Sequence, residues 1–570
     1  MNHLLKKYCP RIDFDSYEDF YENFQIHVPS DFNFAYDVVD EWARVEPKKI
    51  ALIWCDDKGN EKTLTFLEIS ELSKRFANVL CAQGIEKGDI VLMMLRQRWE
   101  YWVSAVALHR MGAILIPAVS QLTSKDIIYR VNSADIKALI ALDDEYVMAQ
   151  IEAALPECPT LKTLISVDSK EIKRSVSTDD ELSWLSWTAL VEQASSEWQR
   201  PLAPEATTSQ DLMLIYFTSG TTGFAKMCCH NFAHPLGHIL TAKYWQQVQE
   251  NKLHCSVTDT GWAKFGWGKI YGQWIAGAVV FAYDTVKFDP RKLLECIQKY
   301  SVSTFCVPPT MYRFMLQEDV SSFDLSSVDT FATAGEPLNA EVTLQWEKAT
   351  GKRIREGFGQ SEGPVLLATF PWLEPRPGSM GKPSPLMNIK LLDSEGREAS
   401  DGDEGNICVT GLKENYPPGL FVGYYKDETR SKESVGGAYY NLNDVAWRDN
   451  DGYFTFVGRS DDVIKCSGYR ISPFEVESVL LEHPAVIESA VTAFPDEERG
   501  FVVKATVVIT QQYEASPGLV KELQTYVKQQ TAPYKYPRII EFVDELPKTI
   551  GGKIKRAQIA AKDAGRSWHE

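Results

Sequence analysis

Runs of apolar and β-branched residues alternate along this chain with stretches that have the periodicity of a helix. In one case an apolar run at 90–95 is followed by an amphipathic stretch at 99–111 and a second apolar run at 113–119. This order predicts a strand, a helix and a strand, which form a β-α-β unit. We therefore predict an α/β fold, and we find neither an internal repeat nor a low-complexity segment.

The carboxyl-terminal end shows the same alternation most clearly. Ser472-Pro473-Phe474-Glu475 has the pattern of a capping box with proline at the first helical position, and His483-Pro484 would end that helix. Further strands are predicted at 486–494, 501–509 and 538–543, with a helix that carries Leu519, Leu523 and Val527 on one face. These elements predict a compact α/β unit of roughly 110 residues, the size of one small domain.

A short, polar, glycine-led segment, Gly458-Arg459-Ser460-Asp461-Asp462, precedes this unit. We predict a domain boundary there, with an amino-terminal region at 1–460 and a carboxyl-terminal domain at 461–570. An ordinary surface turn has the same composition, so composition alone leaves both readings open. The length of 570 residues leads us to expect about three or four folding units in total.

Composition and charge narrow the class of partner. The formal net charge of −18 argues against broad nucleic-acid binding and against docking on an anionic membrane, whereas polyanionic small molecules would need local positive pockets. The 11 cysteines lack metal-ligand spacing. The first residues form no apolar signal region, and the longest apolar stretch, near 274–283, is too short to span a bilayer. We expect a soluble, cytoplasmic protein.

The strongest chemical signal follows an apolar run at 212–217. There the chain enters Thr218-Ser219-Gly220-Thr221-Thr222-Gly223, and Lys226 follows three residues later. Glycines allow close backbone approach, so successive N–H groups can form an anion nest to which hydroxyls and the lysine add donors. The spacing is not that of a Walker A loop. A flexible serine–glycine loop is the alternative, and we predict phosphate binding.

This string resembles the phosphate loop of the adenylate-forming superfamily, which includes acyl-CoA synthetases, luciferases and peptide-synthetase adenylation domains. Further segments resemble the family's other signatures in the same order: Glu356-Gly357-Phe358-Gly359-Gln360-Ser361-Glu362, Asp444, Gly458-Arg459-Ser460-Asp461-Asp462, Ser467-Gly468-Tyr469-Arg470 and Pro547-Lys548-Thr549-Ile550-Gly551-Gly552-Lys553. The resemblance covers most of the chain. Three strings are similar to the medium-chain acyl-CoA synthetases in particular: Thr258-Asp259-Thr260-Gly261-Trp262, Lys287-Phe288-Asp289-Pro290 and Ala532-Pro533-Tyr534-Lys535-Tyr536-Pro537.

The resemblance implies a fold, a reaction and a set of substrates. The fold would combine a large amino-terminal region of several subdomains with a small, mobile carboxyl-terminal α/β domain. The reaction would activate a medium-chain or related carboxylic acid with ATP and Mg²⁺ as an acyl-adenylate. Transfer to CoA would then give acyl-CoA, AMP and pyrophosphate. The partners would be small molecules only, and the oligomeric state is open.

The resemblance also assigns nucleotide-binding residues. Thr218, Lys226 and Glu362 would be catalytic, and Glu362 would hold Mg²⁺, a task that suits a carboxylate on a glycine-flanked loop. Asp444 would accept the ribose hydroxyls, and Arg459 would donate beside it. Further nucleotide contacts are implied for Gly335, Glu336, Pro337, Glu356, Gly357, Phe358, Gly359, Gln360 and Ser361. A solvated surface glutamate and a plain turn at Gly335 are the alternatives.

The carboxyl-terminal domain would supply the moving parts. Lys553, in a glycine-flanked loop, would bridge the carboxylate and the α-phosphate during adenylation, because a mobile ammonium can position both anions and stabilise developing charge. Rotation about Asp461 would then exchange it for a CoA-binding surface. The residues implied there are Ser467, Gly468, Tyr469, Arg499, Tyr534, Lys535 and Tyr536, for which surface charge or core packing is the alternative.

The acyl pocket is predicted from aromatic residues and one glycine. Trp262, Phe265, Trp267 and Trp274 could line an apolar slot or belong to ordinary core, and the resemblance adds Arg470 as a substrate contact. Acetate-specific relatives carry tryptophan where this chain has Gly359, so an acid longer than acetate should fit. Departures from the family pattern occur at Ala225, Ser361, Asn443 and the segment Cys228-Cys229-His230-Asn231, where His230 is either a substrate contact or a structural residue.

Two rival functions have the same signatures. A luciferase-type oxidase or a carrier-protein-loading ligase would also adenylate an acid, and a non-catalytic nucleotide-binding scaffold would retain the fold. CoA-dependent formation of AMP separates the ligase from the first pair. Intact Lys226, Glu362, Asp444, Arg459 and Lys553 argue against the scaffold.

Overall fold

The computed structural model describes residues 2–168, 182–218, 225–460, 462–466, 469–496, 500–548 and 554–563, with backbone alone at 465, 469–470 and 500. The predicted α/β fold is confirmed. Most helices lie between successive strands or flank them. Their bounds are His3–Tyr8, Tyr17–Asn23, Glu41–Val45, Phe66–Ala82, Trp99–Met111, Ser124–Ala134, Glu145–Ala154, Trp187–Gln193, His234–Ile239, Ala263–Lys269, Tyr271–Ile275, Pro290–Tyr300, Pro309–Met315, Ala340–Thr350, Glu428–Val435, Pro473–Leu481, Pro517–Gln530 and Arg556–Asp563, with short 3-10 or π turns at Ala35–Asp40, Leu155–Glu157, Leu240–Trp245, Val320–Ser322 and Pro533–Lys535.

One large sheet has nine strands, of which the central six run parallel. In spatial order they are Lys382–Pro383, Leu367–Ala368, Ile354–Phe358, Thr330–Thr333, Thr304–Cys306, Leu253–Ser256, Val279–Asp284, Ile50–Asp56 and Glu61–Thr65. The outer strands pair antiparallel at both ends. Because parallel strands direct their carboxyl ends to one edge, the loops after them share that edge of the sheet.

The second large sheet has eight strands and contains the predicted β-α-β unit. In spatial order they are Gly423–Tyr424, Lys226–Asn231, Leu212–Thr218, Ile114–Pro117, Ile90–Met94, Ala138–Leu142, Thr163–Val167 and Trp184–Ser186. The strands Ile90–Met94 and Ile114–Pro117 pair directly and in parallel, and the helix Trp99–Met111 connects them along the chain. That helix is not amphipathic as we expected, because residues 100–111 are all buried, as befits a helix enclosed by other elements.

Smaller sheets complete the structure. A four-stranded antiparallel sheet contains Asn388–Leu392, Glu404–Thr410, Tyr439–Arg448 and Phe454–Arg459. After it come the pair Ile464–Cys466 and Tyr469–Ile471, and a three-stranded sheet of Val486–Asp496, Gly500–Ile509 and Ile539–Phe542. The strands predicted in the carboxyl-terminal unit are therefore present. The sheets change between Arg459 and Ile464, and the boundary at Asp461, which lies outside the described residues, stays a prediction.

The predicted capping box at the start of Pro473–Leu481 forms only in part. The Ser472 hydroxyl accepts the backbone N–H of Glu475 at 3.2 Å. The reciprocal bond does not form because the Glu475 carboxylate pairs with the Lys535 ammonium, at 2.7 Å from both oxygens. Within the described part of the chain, no helix is both long enough and apolar enough to cross a membrane.

Candidate active site

The predicted phosphate loop connects two paired strands of the eight-stranded sheet. Thr218, at the end of Leu212–Thr218, lies directly opposite Lys226, at the start of Lys226–Asn231. The predicted phosphate-binding residues between them, Ser219, Gly220, Thr221, Thr222 and Gly223, lie outside the described residues. The pairing of the flanking strands fixes both ends of the turn, so Thr218 and Lys226 are neighbours at one edge of the sheet.

Glu362 lies in the loop that follows the strand Ile354–Phe358, beside Lys226. Its side chain is buried, and one carboxylate oxygen accepts the Tyr424 hydroxyl at 3.0 Å. The Lys226 ammonium lies 5.7 Å from the centre of the Tyr424 ring. Burial raises the pKa of Glu362, and the Tyr424 hydroxyl and the Lys226 ammonium act in the opposite direction. Two large sheets thus contribute one carboxylate and one cation to the same place.

Asp444 and Arg459 come from adjacent strands of the four-stranded sheet. They are directly paired in register, with the guanidinium Nε 3.7 Å from the Asp444 carboxylate. Gln360 donates to the other Asp444 oxygen at 2.5 Å and to the Leu442 carbonyl at 2.8 Å. These bonds connect the loop that carries Glu362 to the carboxylate that the sequence assigns to the ribose.

Asn443, which departs from the glycine common in the family, has a structural explanation. Its φ is +58°, in the left-handed region where glycine and asparagine are the residues that fit best. Its carbonyl accepts the backbone N–H of Ser460 at 3.0 Å. The substitution therefore preserves the backbone conformation that places Asp444.

The predicted adenine segment, Gly335-Glu336-Pro337, follows the strand Thr330–Thr333, which is the parallel neighbour of Ile354–Phe358. The backbone N–H of Leu338 donates to the Glu356 carboxylate at 3.4 Å. Burial raises the pKa of Glu356 to about 8. The Glu336 carboxylate accepts the Thr310 hydroxyl at 2.6 Å. Two segments that the sequence assigned to the nucleotide therefore lie side by side at the same edge of the sheet.

Gly359 and Gly357 each face a tryptophan ring. A Cβ on Gly359 would lie 2.4 Å from the Trp267 ring, and a Cβ on Gly357 would lie 2.4 Å from the Trp245 ring. No side chain larger than hydrogen fits at either position without displacing a ring. The Trp267 ring therefore occupies the space that a side chain at position 359 would take.

The other predicted acyl-pocket aromatics have different surroundings. Trp262 is half-buried and packs against the apolar cluster of the eight-stranded sheet. Phe265 packs on the rings of Tyr101 and Trp102 at 4.5 and 5.2 Å. Trp274 donates to the Ala51 carbonyl at 3.0 Å within the core. Phe265 and Trp274 are therefore core residues, whereas the pocket assignment of Trp262 stays a prediction.

Several predicted residues of the carboxyl-terminal domain cannot be placed. Lys553, Asp461, Ser467, Gly468 and Arg499 lie outside the described residues, and Tyr469 and Arg470 are described by their backbone alone. Among those that can be placed, Lys535 pairs with Glu475 at 2.7 Å. The Tyr536 hydroxyl accepts from Arg538 at 2.9 Å, and Tyr534 is 41% exposed. Their contact with CoA stays a prediction.

Sequence reasoning missed the tyrosines that line the site. Tyr424 bonds to Glu362, and the Tyr440 hydroxyl donates to the Gln360 side chain at 3.1 Å. No local pattern separates these two from the other tyrosines of the chain, which has 24. Their role depends on pairing between distant strands.

Among the described residues, no group of three or more histidines, cysteines or carboxylates could hold a metal ion. A site for Mg²⁺ that uses one protein carboxylate and the phosphates of a nucleotide needs no such cluster. The buried Glu362 carboxylate fits that requirement, because oxygen is the ligand that Mg²⁺ prefers. A cation would also offset the cost of burying this charge.

Comparison with known proteins identifies the family. The family of AMP-binding enzymes matches residues 39–425, and the AMP-binding enzyme C-terminal domain matches residues 475–553. Among similar proteins, the acyl-coenzyme A synthetase ACSM3, mitochondrial, of Mus musculus is 40% identical over 97% of this chain and 94% of its own. The acyl-coenzyme A synthetase ACSM4, mitochondrial, of Homo sapiens is 41% identical over 93% of this chain and 90% of its own.

Solved structures of adenylate-forming ligases have the same fold. An anthranilate CoA ligase, AuaEII, in complex with anthranoyl-AMP has a TM-score of 0.84 and is 26% identical, covering 94% of this chain and 98% of its own. A benzoate CoA ligase from Burkholderia xenovorans LB400 has a TM-score of 0.78 and is 25% identical, covering 93% of this chain and 100% of its own. The resemblance to the medium-chain acyl-CoA synthetases is confirmed.

The expected cytoplasmic location is wrong by the same comparison. The similar acyl-coenzyme A synthetases ACSM3, ACSM4 and ACSM5 are all named as mitochondrial proteins. The expectation was based on composition and on the pattern of the first residues. The remaining sequence predictions of reaction class and substrates agree with the comparison. The chain belongs to the family of AMP-binding enzymes, and it is an acyl-coenzyme A synthetase, an ATP-dependent acid–thiol ligase.

Proposed function

We propose that this enzyme activates a medium-chain or related carboxylic acid, as a step of fatty acid metabolism, at the site where Lys226, Glu362, Asp444 and Arg459 meet. The observation that carries the proposal is the bonded connection from Glu362 through its loop to Gln360 and Asp444. It brings the predicted metal ligand and the predicted ribose acceptor into one continuous structure. Each of the three sheets supplies at least one of the four side chains.

The test of this function is a screen of ATP consumption across acids. Straight-chain acids from acetate upward, branched acids and aryl acids would be supplied with ATP, Mg²⁺ and CoA, and AMP would be measured. We expect CoA-dependent AMP formation that is strongest with acids of medium length. Equal AMP formation without CoA would favour a different acyl acceptor, and a lack of ATP–pyrophosphate exchange with every acid would contradict the function.

Asp444 is proposed to hold the ribose. An ionised carboxylate has only acceptor sites, so it can accept from two hydroxyls of a diol. Its burial beside Gln360 and Arg459 fixes the side chain for that purpose. Thr218 and Lys226, at the ends of the phosphate loop, would contact the phosphates, where hydroxyl and ammonium donors suit anionic oxygens.

The ribose assignment predicts a loss of sugar discrimination. Asp444→Asn keeps the shape of the side chain but replaces one acceptor oxygen with a donor. We expect KM for ATP to rise about tenfold, the equivalent of one charge-assisted hydrogen bond. The wild-type preference for ATP over 2′-deoxy-ATP should shrink by a similar factor. The measurement is ATP–pyrophosphate exchange with both nucleotides, and an unchanged preference would remove Asp444 from the ribose site.

Glu362 is proposed to bind Mg²⁺ together with phosphates of ATP. When bound, the ion would neutralise charge on the phosphates as pyrophosphate leaves. The protein's own part is to keep the carboxylate ionised and fixed in place. The Tyr424 hydroxyl donates to it, and the nearby Lys226 ammonium lowers the pKa that burial has raised.

Trp267 is proposed to set the depth of the acyl pocket. Because a Cβ on Gly359 would lie 2.4 Å from the Trp267 ring, this ring would bound the acyl pocket beside Gly359. Gly359→Trp, which the sequence alone suggests as a route to acetate specificity, would therefore displace Trp267. The sharper change is to shorten Trp267 itself.

Trp267→Leu should move the preference toward longer acids. Each added methylene that becomes buried contributes about 0.8 kcal/mol, or about fourfold in kcat/KM. We expect the optimum chain to lengthen, while acids shorter than the wild-type optimum lose activity. The control is Trp274→Leu, which removes a buried indole whose ring lies 5.4 Å from Phe66 in the core. An unshifted chain-length profile in Trp267→Leu would exclude this wall.

The carboxyl-terminal domain is proposed to act in two positions. Lys553 would serve adenylation, and rotation about Asp461 would replace it with Ser467, Gly468 and Tyr469 beside CoA. Arg499 and the segment Tyr534-Lys535-Tyr536 would meet the nucleotide end of CoA, where cationic and aromatic groups suit phosphates and adenine. Support comes from the match of the C-terminal family domain to residues 475–553.

A further inference from the structure

Three histidine rings contact one another in series beside the loop that carries Glu362. His230 is on the strand Lys226–Asn231, and His234 and His238 are on the helix His234–Ile239. All three are buried. The ring centres of His230 and His234 are 4.0 Å apart, and those of His234 and His238 are 4.5 Å apart. The proposed reaction uses none of them, and we call them the histidine chain.

For neutral rings, the hydrogen bonds of the histidine chain are compatible with only one arrangement of protons. A carbonyl oxygen can only accept, so His230 must donate from Nε2 to the Ser361 carbonyl, at 2.7 Å. By the same argument His234 donates from Nδ1 to the Gly419 carbonyl, at 3.2 Å, and its Nε2 is an acceptor in the neutral ring. His238 then donates from Nε2 to that nitrogen, at 3.1 Å.

The last bond in this series is made by Nδ1 of His238. His238 Nδ1 accepts from the Thr241 hydroxyl at 3.1 Å. Each ring, when neutral, therefore has one tautomer. Burial favours the neutral rings, because it lowers the pKa of His230 to about 4 and that of His238 to about 3. A proton added to His234 would place two N–H groups face to face.

The histidine chain and Thr241, which is bonded to His238, hold the Glu362 loop at two points. His230 holds the Ser361 carbonyl, immediately before Glu362, and Thr241 accepts the backbone N–H of Val365 at 3.3 Å. Only three residues separate these two contacts. The backbone is therefore held both before and after Glu362, at Ser361 and at Val365.

A second loop also contacts the backbone of Glu362, and it is held by the helix His234–Ile239. His234 bonds to Gly419, and the backbone N–H of Phe421 donates to the Glu362 carbonyl at 2.6 Å. Gly237 lets the helix approach closely, since a Cβ there would lie 2.5 Å from the Pro418 carbonyl oxygen. The helix His234–Ile239 thus holds the loop of Gly419, while the strand before it and the π turn after it hold the loop of Glu362.

We propose that the histidine chain is a positioning device for the Glu362 carboxylate. It acts through the backbone at Ser361, Val365 and Gly419, and it touches no substrate. The consequence for catalysis depends on the proposed metal-binding role of Glu362. The three histidines are spaced four residues apart in the sequence. From the sequence we considered only His230, as either a substrate contact or a structural residue.

Two substitutions at His230 separate positioning from general stability. His230→Gln keeps an N–H donor near the place of Nε2, whereas His230→Leu keeps volume and removes the donor. In His230→Leu we expect the Mg²⁺ concentration for half-maximal adenylation to rise about 10- to 100-fold, as for other residues that orient a metal ligand. Thioesterification of supplied acyl-adenylate should stay near wild type, and His230→Gln should restore most of the Mg²⁺ response.

The matched control is His254→Leu. His254 is equally buried, burial likewise lowers its pKa to about 3, and its Nδ1 bonds to the Thr304 hydroxyl at 2.8 Å in the nine-stranded sheet. It lies on a different strand from the histidine chain, so its loss should lower stability without changing the Mg²⁺ response. An equal shift in the Mg²⁺ response of His254→Leu and His230→Leu would overturn the proposal.

Hydrogen exchange tests the positioning without reference to activity. Amides of the peptide 361–366 should exchange faster in His230→Leu than in wild type, and not in His230→Gln or His254→Leu. Unchanged exchange in His230→Leu would overturn the positioning role, whatever the fate of Glu362. Faster exchange, combined with an unaltered Mg²⁺ response in Glu362→Gln, would instead overturn the metal-binding role of Glu362 and leave the hold on the loop established.

Discussion

Lys553→Ala should reduce the rate of adenylation by about 10²- to 10³-fold while leaving thioesterification of supplied acyl-adenylate near wild type. The magnitude is that of removing one preorganised donor from a developing charge. Attack of a carboxylate on an α-phosphate brings two anions together, and a mobile ammonium that contacts both would be lost. In the second half-reaction a thiol attacks the acyl carbonyl and AMP leaves, so no carboxylate has to approach a phosphate and that bridge is not needed.

The measurement is stopped-flow or quench analysis of each half-reaction, with acid plus ATP in one and synthetic acyl-adenylate plus CoA in the other. An equal loss in both half-reactions would contradict the assigned role of Lys553.

The residues that flank Lys553 on both sides are paired with each other. Lys548 and Ile554 form an antiparallel bridge, and the backbone N–H of Lys555 donates to the Pro547 carbonyl at 2.8 Å.

Lys548→Ala is the matched control for that experiment. It removes the same charge from the same loop, but the Lys548 ammonium is committed to Glu488, at 2.7 Å from both carboxylate oxygens. A half-buried ion pair of this kind contributes modestly to stability. We expect a small loss of stability and less than about a tenfold change in either half-reaction, well below the effect at Lys553.

The sequence predicted the fold well, because the fold depends on local patterns. Continuous apolar runs marked parallel strands such as Ile90–Met94, which is buried at every position. Asn443 shows how much a local pattern can carry: a residue that departs from the family keeps the φ of +58° that the position needs. Such features need no knowledge of distant contacts.

What the sequence could not predict depends on residues that are far apart in the chain. The Tyr424 hydroxyl reaches Glu362 across 62 positions, and Lys535 is diverted to Glu475 across 60. The Trp267 ring occupies the space beside Gly359 that the sequence suggested was open. No periodicity or spacing reports these contacts, since they arise from the packing of separate sheets.

The same limit applies to the helix Trp99–Met111. Its sequence suggested one apolar and one polar face, yet Glu100, His109 and Arg110 are buried with the rest. Glu100 pairs with Arg98 at 3.4 Å, two positions away, whereas the other two have distant partners: Arg110 pairs with Asp40 at 2.7 Å, and His109 bonds to the Tyr271 hydroxyl at 3.1 Å. The polar residues of this helix therefore do not indicate a solvent-exposed face, because a polar side chain can be buried when it has a hydrogen-bond partner.

Glu362→Gln should shift the Mg²⁺ dependence of adenylation and lower its rate by at least about 10²-fold. The loss corresponds to several kcal/mol of metal-assisted charge stabilisation, at about 1.4 kcal/mol for each factor of ten. Glutamine preserves the volume and can still accept the Tyr424 hydroxyl, so the fold around it should survive. What disappears is the negative charge.

The pH response of the wild-type enzyme provides an independent check on this carboxylate. Burial raises the pKa of Glu362, so the charged form that a cation needs is lost at a higher pH than for an exposed glutamate. Activity at limiting Mg²⁺ should therefore fall as the pH drops toward that raised pKa, and added Mg²⁺ should restore it by binding the ionised form.

In Glu362→Gln that rescue should be absent, since no carboxylate is left to ionise. Tyr424→Phe offers a graded comparison, because it removes the hydroxyl donor and keeps the ring beside Lys226. Without that donor the pKa of Glu362 should rise further, and the acid limb of the profile should move to higher pH. If Glu362→Gln and wild type had the same Mg²⁺ dependence at every pH, the ion would have to be held elsewhere, and the link from Lys226 through Tyr424 to Glu362 would be structural only.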